Sequence, residues 1–533
     1  MRTRTALIAA IIVAVIIALT SGAAPVRAAP YETMIQDDNV LVYGSDANVA
    51  TGMGLLRNLG VDRARITLPW SLAAPRPKDR RKPRGFRADQ PDAYAPSLAK
   101  YRSTFMFRID RAVVLGAING VKIDLDLGFG APRWAAAGFG SKDRFGAVNR
   151  PSPAEFARFA RAMARRYSGR FAPLRGKFVL PQVDVFELWN EPNVPTFMQP
   201  EWQNGVPVAA DQYRAMVQAA YPAMKAVNPG AKVLIGVTAP GGGTRGGATS
   251  PIAPIPFLRR LACVDARLRR VHDGGCRHFR RVPGDGLSHH PYALKSPPGV
   301  PTSDPNIVRI ANLDRITRLT ASLVSRHRFA PATRDLWLTE FGYETNDPVT
   351  TKPWTLGQQT RLLAQAEYLS QSHPQVRAIT QFLLRDVLTA PALRLARRGN
   401  RGRYPGSWQT GLYYEDFRPK PSAFTFPLTL LPFRDGDTSV GIFGHVRTDR
   451  NGGLNIRIEG LQPDGTWAPI DTSNASGGDN HPGFVTQPGG VFLRKLRSSD
   501  PPESYRYGVQ LPGGNWVYSL PQPLQELNKA PPQ

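Results

Sequence analysis

Apolar and polar positions along this chain follow two periods that take turns. Segments 63–70 (RARITLPW), 121–129 (VKIDLDLGF), 183–188 (VDVFEL), 232–238 (KVLIGVT), 335–342 (DLWLTEFG) and 376–384 (VRAITQFLL) alternate or run apolar over strand lengths. Between them, 103–119, 152–167, 211–227, 313–326 and 356–370 place apolar residues at helical spacing. Ser152 stands where an N-cap belongs, with Glu155 at the third position of a capping box. Adding 40–46 (VLVYGSD) as a first strand, 52–60 as a short helix ending on glycine and 286–292 (GLSHHPY) as a sixth strand gives about eight strand–helix units. That order predicts a parallel α/β architecture, a (β/α)8 TIM barrel over 38–428. The tail changes character. VGIFGHVRT, GGLNIRIEGL, GVFLRKL and SYRYGVQL are short alternating strands between Gly, Pro, Asp and Asn turns, which predicts a small all-β sandwich over 432–525. No aromatic binding strip is evident along the tail.

The chemistry is concentrated at two strand ends. In ELWNEPN (187–193), Pro192 cannot donate to a ladder and pushes Glu191 out of the helical region. The fourth strand therefore ends there, with Asn190 and Glu191 at its tip. Glu340 ends the seventh strand in LWLTEFG, where Gly342 opens the turn. Carboxylates at the carboxyl ends of strands four and seven face one barrel mouth. Glycoside hydrolysis needs such a pair: one to protonate the leaving oxygen, one to attack or to activate water. An exposed strand-end carboxylate explains either glutamate alone, but the pair in matching contexts favours catalysis.

WNEPN followed by TEFG resembles the clan A glycoside hydrolases, with families 5 and 39 nearest, and points to an exported, actinobacterial member. The resemblance covers roughly 40–426. It implies Glu191 as acid/base and Glu340 as nucleophile of a retaining mechanism on β-linked glycosides. It further implies that Asn190 binds the sugar 2-hydroxyl, Arg65 supports the nucleophile, and His290 and Tyr292 form the His-x-Tyr pair whose tyrosine bonds the nucleophile. The chain departs from the clan at strand eight. A platform tryptophan is usual there, whereas TQFLLRD offers Gln381 or Phe382, and Trp408 from SWQTGLYY is a substitute. Trp70 and Trp134 follow strands two and three and offer further stacking faces. Asp124 and Asp126 alternate with leucines on strand three and point either into the barrel or to its mouth.

Composition adds four points. Arg2 and Arg4 before the apolar run 6–19, then small residues up to Ala28, read as an export signal over 1–28, so a secreted protein is expected, with an uncleaved membrane anchor as the alternative. Cys263 and Cys276 are the two cysteines, and in an exported chain they predict one disulfide. The formal net charge of +27 suits an anionic cell envelope, or reflects a solvated arginine-rich surface such as 76–87 and 394–403. No nucleic-acid motif accompanies it. His289 and His290 lack a third nearby metal ligand in the sequence, so neither a metal nor an organic cofactor is expected. The expected partner is an oligo- or polysaccharide, and the expected state a monomer. Two other readings use the same residues: a non-catalytic polysaccharide- or wall-binding barrel, and a transglycosylase.

Overall fold

The computed structural model describes residues 31–95, 98–138, 146–173, 178–348, 352–388, 408–472 and 484–529. The export signal predicted at 1–28 lies outside them. The described chain forms two compact units: Tyr31–Pro427 together with 527–529, and Leu428–Glu526.

The larger unit is a closed parallel barrel. Its strands are β1 Glu32–Gln36, β2 Arg63–Thr67, β3 Lys122–Leu127, β4 Val185–Leu188, β5 Lys232–Thr238, β6 Gly286–His289, β7 Leu336–Phe341 and β8 Val376–Phe382. Each pairs with its sequence neighbour, and β1 closes the ring on β8 with Thr33 opposite Ile379. Helices α1 Asp46–Asn58, α2 Phe105–Ile118, α3 Pro153–Arg166, α4 Val208–Lys225, α5 Pro254–Leu261, α6 Leu313–Ser325 and α7 Leu356–Gln371 lie between the strands in sequence.

One predicted strand is corrected. Residues 40–46 are not β1. They form the end of a one-turn helix, Asp38–Leu41, and the entry to α1. Asp37 accepts from the Val40 N–H and Ser45 from the Asn48 N–H, so side chains satisfy the backbone groups that a ladder would have used. The first strand lies upstream, and the barrel therefore begins before the predicted boundary at 38. Ser152 caps α3 as expected, but the Glu155 carboxylate pairs with Lys82 and Arg158.

Period-two alternation sorts each strand between the barrel axis and the helices. Met34, Val185, Leu234, Trp337 and Ala378 form a buried apolar cluster drawn from five strands. Two residues further along β4 comes Glu187, and a charged layer replaces the apolar one. At the amino-terminal end, Arg63 pairs with Glu32 at 2.7 Å and Asp184 at 2.5 Å.

Cys263 and Cys276 form the predicted disulfide, with Cα atoms 5.5 Å apart. It closes a 13-residue loop after α5. On loop-closure entropy, Cys263→Ser with Cys276→Ser is expected to cost roughly 3 kcal/mol, read as a lower urea midpoint. An unchanged midpoint would mean that the ion pairs from Arg260 to Asp211 and Asp273 hold the loop unaided.

The smaller unit is the predicted all-β domain. Strands β9 Leu428–Arg434, β10 Ser439–Val446 and β14 Val491–Arg497 make one antiparallel sheet. The other contains β11 Asn455–Leu461, β12 Trp467–Pro469, β13 Phe484–Val485, β15 Ser504–Gln510, β16 Trp516–Tyr518 and β17 Gln522–Pro523. Leu430, Ile442 and Phe492 from the first sheet share one buried cluster with Ile456, Ile458 and Tyr507 from the second.

Candidate active site

The carboxyl ends of the barrel strands surround a cavity of about 940 Å³ that Glu191, Glu340, Asn190 and Tyr292 line. At the tip of β4 the backbone turns sharply: Trp189 and Glu191 both adopt left-handed conformations, φ +70° and +39°. Such conformations in non-glycine residues cost on the order of 1–3 kcal/mol each and need support. Trp189 supplies part of it. Its ring is buried edge-on against Phe156, and its indole N–H donates to the Phe197 carbonyl at 3.0 Å. Asn193 supplies the rest by bonding the Ala239 N–H and the Ala239 and Ile252 carbonyls. The Trp189 side chain thus turns into the core.

Arg65 is the hub of the site. It is fully buried, and all five of its N–H groups have acceptors. Nε and Nη2 grip Glu187 at 3.2 and 3.0 Å; Nη2 also reaches Asn190 Oδ1 at 3.1 Å; Nη1 holds Gln36 Oε1 at 2.6 Å and Glu340 Oε1 at 2.7 Å. The Tyr292 hydroxyl donates to the other Glu340 oxygen at 3.1 Å. Burial, then the negative charge of Glu340, hold the Tyr292 phenol well above its ordinary range, so it keeps the proton it donates. Both oxygens of Glu340 are therefore fixed by donors. With its carbonyl oxygen taken by Arg65, Asn190 has no partner for its NH2 among the described residues.

His290 Nδ1 lies 2.8 Å from Glu191 Oε1 and 3.6 Å from Glu340 Oε2. Burial works against charge on this imidazole, but the Glu340 and Glu191 carboxylates outweigh it, and its titration is raised. One oxygen from each glutamate and one nitrogen of His290 all lie within 4.8 Å of one another. His289, next in sequence, is structural. It bonds Thr238 at 2.8 Å and the Val308 carbonyl at 3.0 Å, and burial depresses it to about 3, so it stays neutral.

The structure thus brings Arg65, Asn190, Glu191, His290, Tyr292 and Glu340 together. Trp408 joins them at the rim: it lines the cavity and meets Phe382 edge-on at 5.7 Å. Phe129 and Phe197, in contact at 4.6 Å, line it as well. Trp70 and Trp134 do not line it. Trp70 is fully buried, stacked on Phe159 and edge-on to Trp134, which donates to the Pro75 carbonyl. Their large apolar faces are used to pack the core, which corrects their assignment to a ligand.

Glu187, Gln36 and Asp38 were not foreseen, whereas Asp124 and Asp126 were read as pointing into the barrel or to its mouth. Glu187 is a completely buried carboxylate, held ionised by Arg65 against the cost of burial. Asp126 lies 3.6 Å from Arg65, but burial pushes it up to about 8. Asp124 is raised by burial and by Glu187. Both aspartates are sealed inside the barrel, out of reach of a ligand at the mouth. Gln36, which ends β1, and Asp38, which opens the one-turn helix after it, line the cavity and were missed along with that strand.

No family model matches the chain, and no curated protein does. Among solved structures it is similar to an exo-β-1,4-mannosidase from Opitutaceae bacterium strain TAV5, at 16% identity and a TM-score of 0.38 over 74% of this chain. The match spans 58% of the mannosidase, so the chain covers little more than half of that protein. It is also similar to a type I pullulanase from Bacillus subtilis strain 168, solved with maltose, at 11% identity and a TM-score of 0.33 over 89% of this chain and 72% of that one. The functional reading rests on the chain's own geometry.

Proposed function

We propose that this chain is a retaining O-glycoside hydrolase acting on β-linked oligo- or polysaccharides. One observation carries the reading: two glutamates from β4 and β7 face one cavity with oxygens within 4.8 Å of each other. Retaining enzymes set their carboxyl groups about 5–5.5 Å apart, whereas inverting ones leave about 6.5–9.5 Å for a water. In the first step a Glu340 oxygen attacks the anomeric carbon while Glu191 gives its proton to the leaving oxygen. The C–O bond to the aglycone breaks and a glycosyl ester forms. In the second step Glu191 takes a proton from water, whose oxygen attacks the same carbon and frees Glu340. Arg65 and Tyr292 aim the nucleophile, and the amide NH2 of Asn190 binds the sugar 2-hydroxyl, as the resemblance implies. Phe382 at the end of β8 and Trp408, edge-on to it, serve as the sugar platform in place of the clan's tryptophan. The mechanism needs no metal and no organic cofactor. Action outside the cell fits the apolar amino-terminal run and the disulfide.

The test is intact-protein mass spectrometry after exposure to a panel of 2-deoxy-2-fluoro glycosyl fluorides. Accumulation of one glycosyl adduct on the native chain, absent from Glu340→Gln, is the expected result, and it names the accepted sugar. An adduct that persists in Glu340→Gln would place the nucleophile elsewhere. Turnover of a glycoside with inversion at the anomeric carbon would sink the retaining mechanism.

A further inference from the structure

The all-β unit carries an array that strand pairing alone assembles. On β11, Arg457 and Glu459 point to the same side of the sheet, opposite the buried Ile456 and Ile458. Pairing sets Glu459 beside Arg506 of β15, and Gly508 beside Tyr518 of β16. Trp467 of β12 and Trp516 of β16 flank them. The result is a row of rings and guanidinium groups. The Arg506 guanidinium carbon lies 4.6 Å from the Trp467 ring centre and 4.5 Å from that of Tyr518. That of Arg457 lies 5.5 Å from Tyr518 and 4.7 Å from Trp516. Gly508 leaves the floor open: a Cβ there would come within 3.0 Å of both the Trp516 and Tyr518 rings. The row crosses four strands, about 14 Å at ordinary strand spacing.

Cation–π contacts alone would make this a stiffener for the sheet. The charge balance argues for more. One carboxylate, Glu459, serves both guanidiniums, at 2.9 Å from Arg457 and 2.6 Å from Arg506, so among the described residues a positive charge is left over. Glu459 is buried beneath them, while Arg457 and Arg506 keep 35% and 27% of their side-chain surface. The terminal NH2 groups of Arg457 have no hydrogen-bond acceptor among the described residues. A guanidinium fork of this kind takes a carboxylate through two parallel hydrogen bonds. The array also selects among anions. It lies on a sheet face, whereas small-molecule sites are concave and enclose their ligand. Two guanidiniums are few for a nucleic acid, whose proteins typically make about 6–10 phosphate contacts. A polymer with carboxylates spaced along apolar ring faces meets both the forks and the aromatic edges.

We propose that this face of the all-β unit is a binding site for uronate-bearing polysaccharide, separate from the barrel cavity. The probe is immobilised polygalacturonate, with its fully methyl-esterified form as a control of the same backbone. The protein is the full chain carrying Glu340→Gln, measured by biolayer interferometry. Expected are binding to the acid form and not to the ester, a loss of about tenfold in affinity in Arg457→Ala, and a smaller loss in Arg457→Lys. Arg80→Ala, which removes an exposed charge from the barrel unit, is expected to change nothing. Equal losses in Arg80→Ala and Arg457→Ala would reduce the effect to net charge and overturn the proposal. So would equal binding of the ester, equal binding of duplex DNA, or no binding at all. If Arg457→Ala does not fold, Arg457→Lys, which keeps the charge but not the fork, decides the point.

Discussion

Glu340→Ala is expected to lower kcat by on the order of 10⁴-fold or more, equivalent to about 5.5 kcal/mol of lost transition-state stabilisation. The reason is that no neighbour can take over. The other groups around Glu340 are the donors Arg65 and Tyr292 and the His290 imidazole, 3.6 Å away, while in the proposed mechanism Glu191 handles proton transfer. The deletion leaves a space beside the anomeric carbon that a small anion can enter. Sodium azide should therefore restore turnover and give a glycosyl azide of inverted configuration, since it attacks from the face that Glu340 used. Glu191→Ala should behave differently: azide intercepts the glycosyl ester from the opposite face and gives the retained product. An inverted azide from the Glu191 variant, or no azide product from either, would reverse or abolish the assignment of roles.

Arg65→Met should be nearly as damaging, by another route. It leaves Glu187 buried without its paired guanidinium, and takes one donor from Glu340. Breaking a buried ion pair by removing one partner costs roughly 3–5 kcal/mol, because the remaining charge stays desolvated. A large fall in the urea midpoint is expected together with the loss of activity. The two effects should separate in the double variant Arg65→Met with Glu187→Gln. Removing the stranded charge should recover much of the stability, while activity stays low because Glu340 keeps only the Tyr292 donor and Asn190 loses its anchor. Full recovery of activity in the double variant would show that Arg65 serves only to neutralise Glu187.

Both catalytic candidates are legible in the sequence because each sits at a discontinuity. Pro192 and Gly342 mark where strands stop, and a strand end in a parallel barrel faces the mouth. Glu187 has no such mark. It occupies one step of an alternation whose two faces are both buried, one by the barrel axis and one by helices, so period two does not reveal which face is central. The same ambiguity left open whether Asp124 and Asp126 point inward or to the mouth. It also misplaced Trp70, since an aromatic ring just past a strand fits a core or a cavity equally well. β1 escaped notice for a different reason. The stretch before Asp37 is too short to show a pattern, while 40–46 alternates by chance and is claimed by its caps. The arginine–aromatic row could not be read along the chain, because its members lie on four strands and only pairing makes them neighbours.

The pairing of Thr33 with Ile379 has a consequence for how the site comes into being. A ring whose first and last strands join is complete only when both ends of its sequence are present, and such distant contacts form late because loop closure must precede them. Arg65, Glu191 and Glu340 belong to strands held in place by that closure. A chain still lacking β8 would carry both glutamates without the closed ring that spaces them. The spacing that the proposed mechanism needs is therefore expected only once the ring has closed.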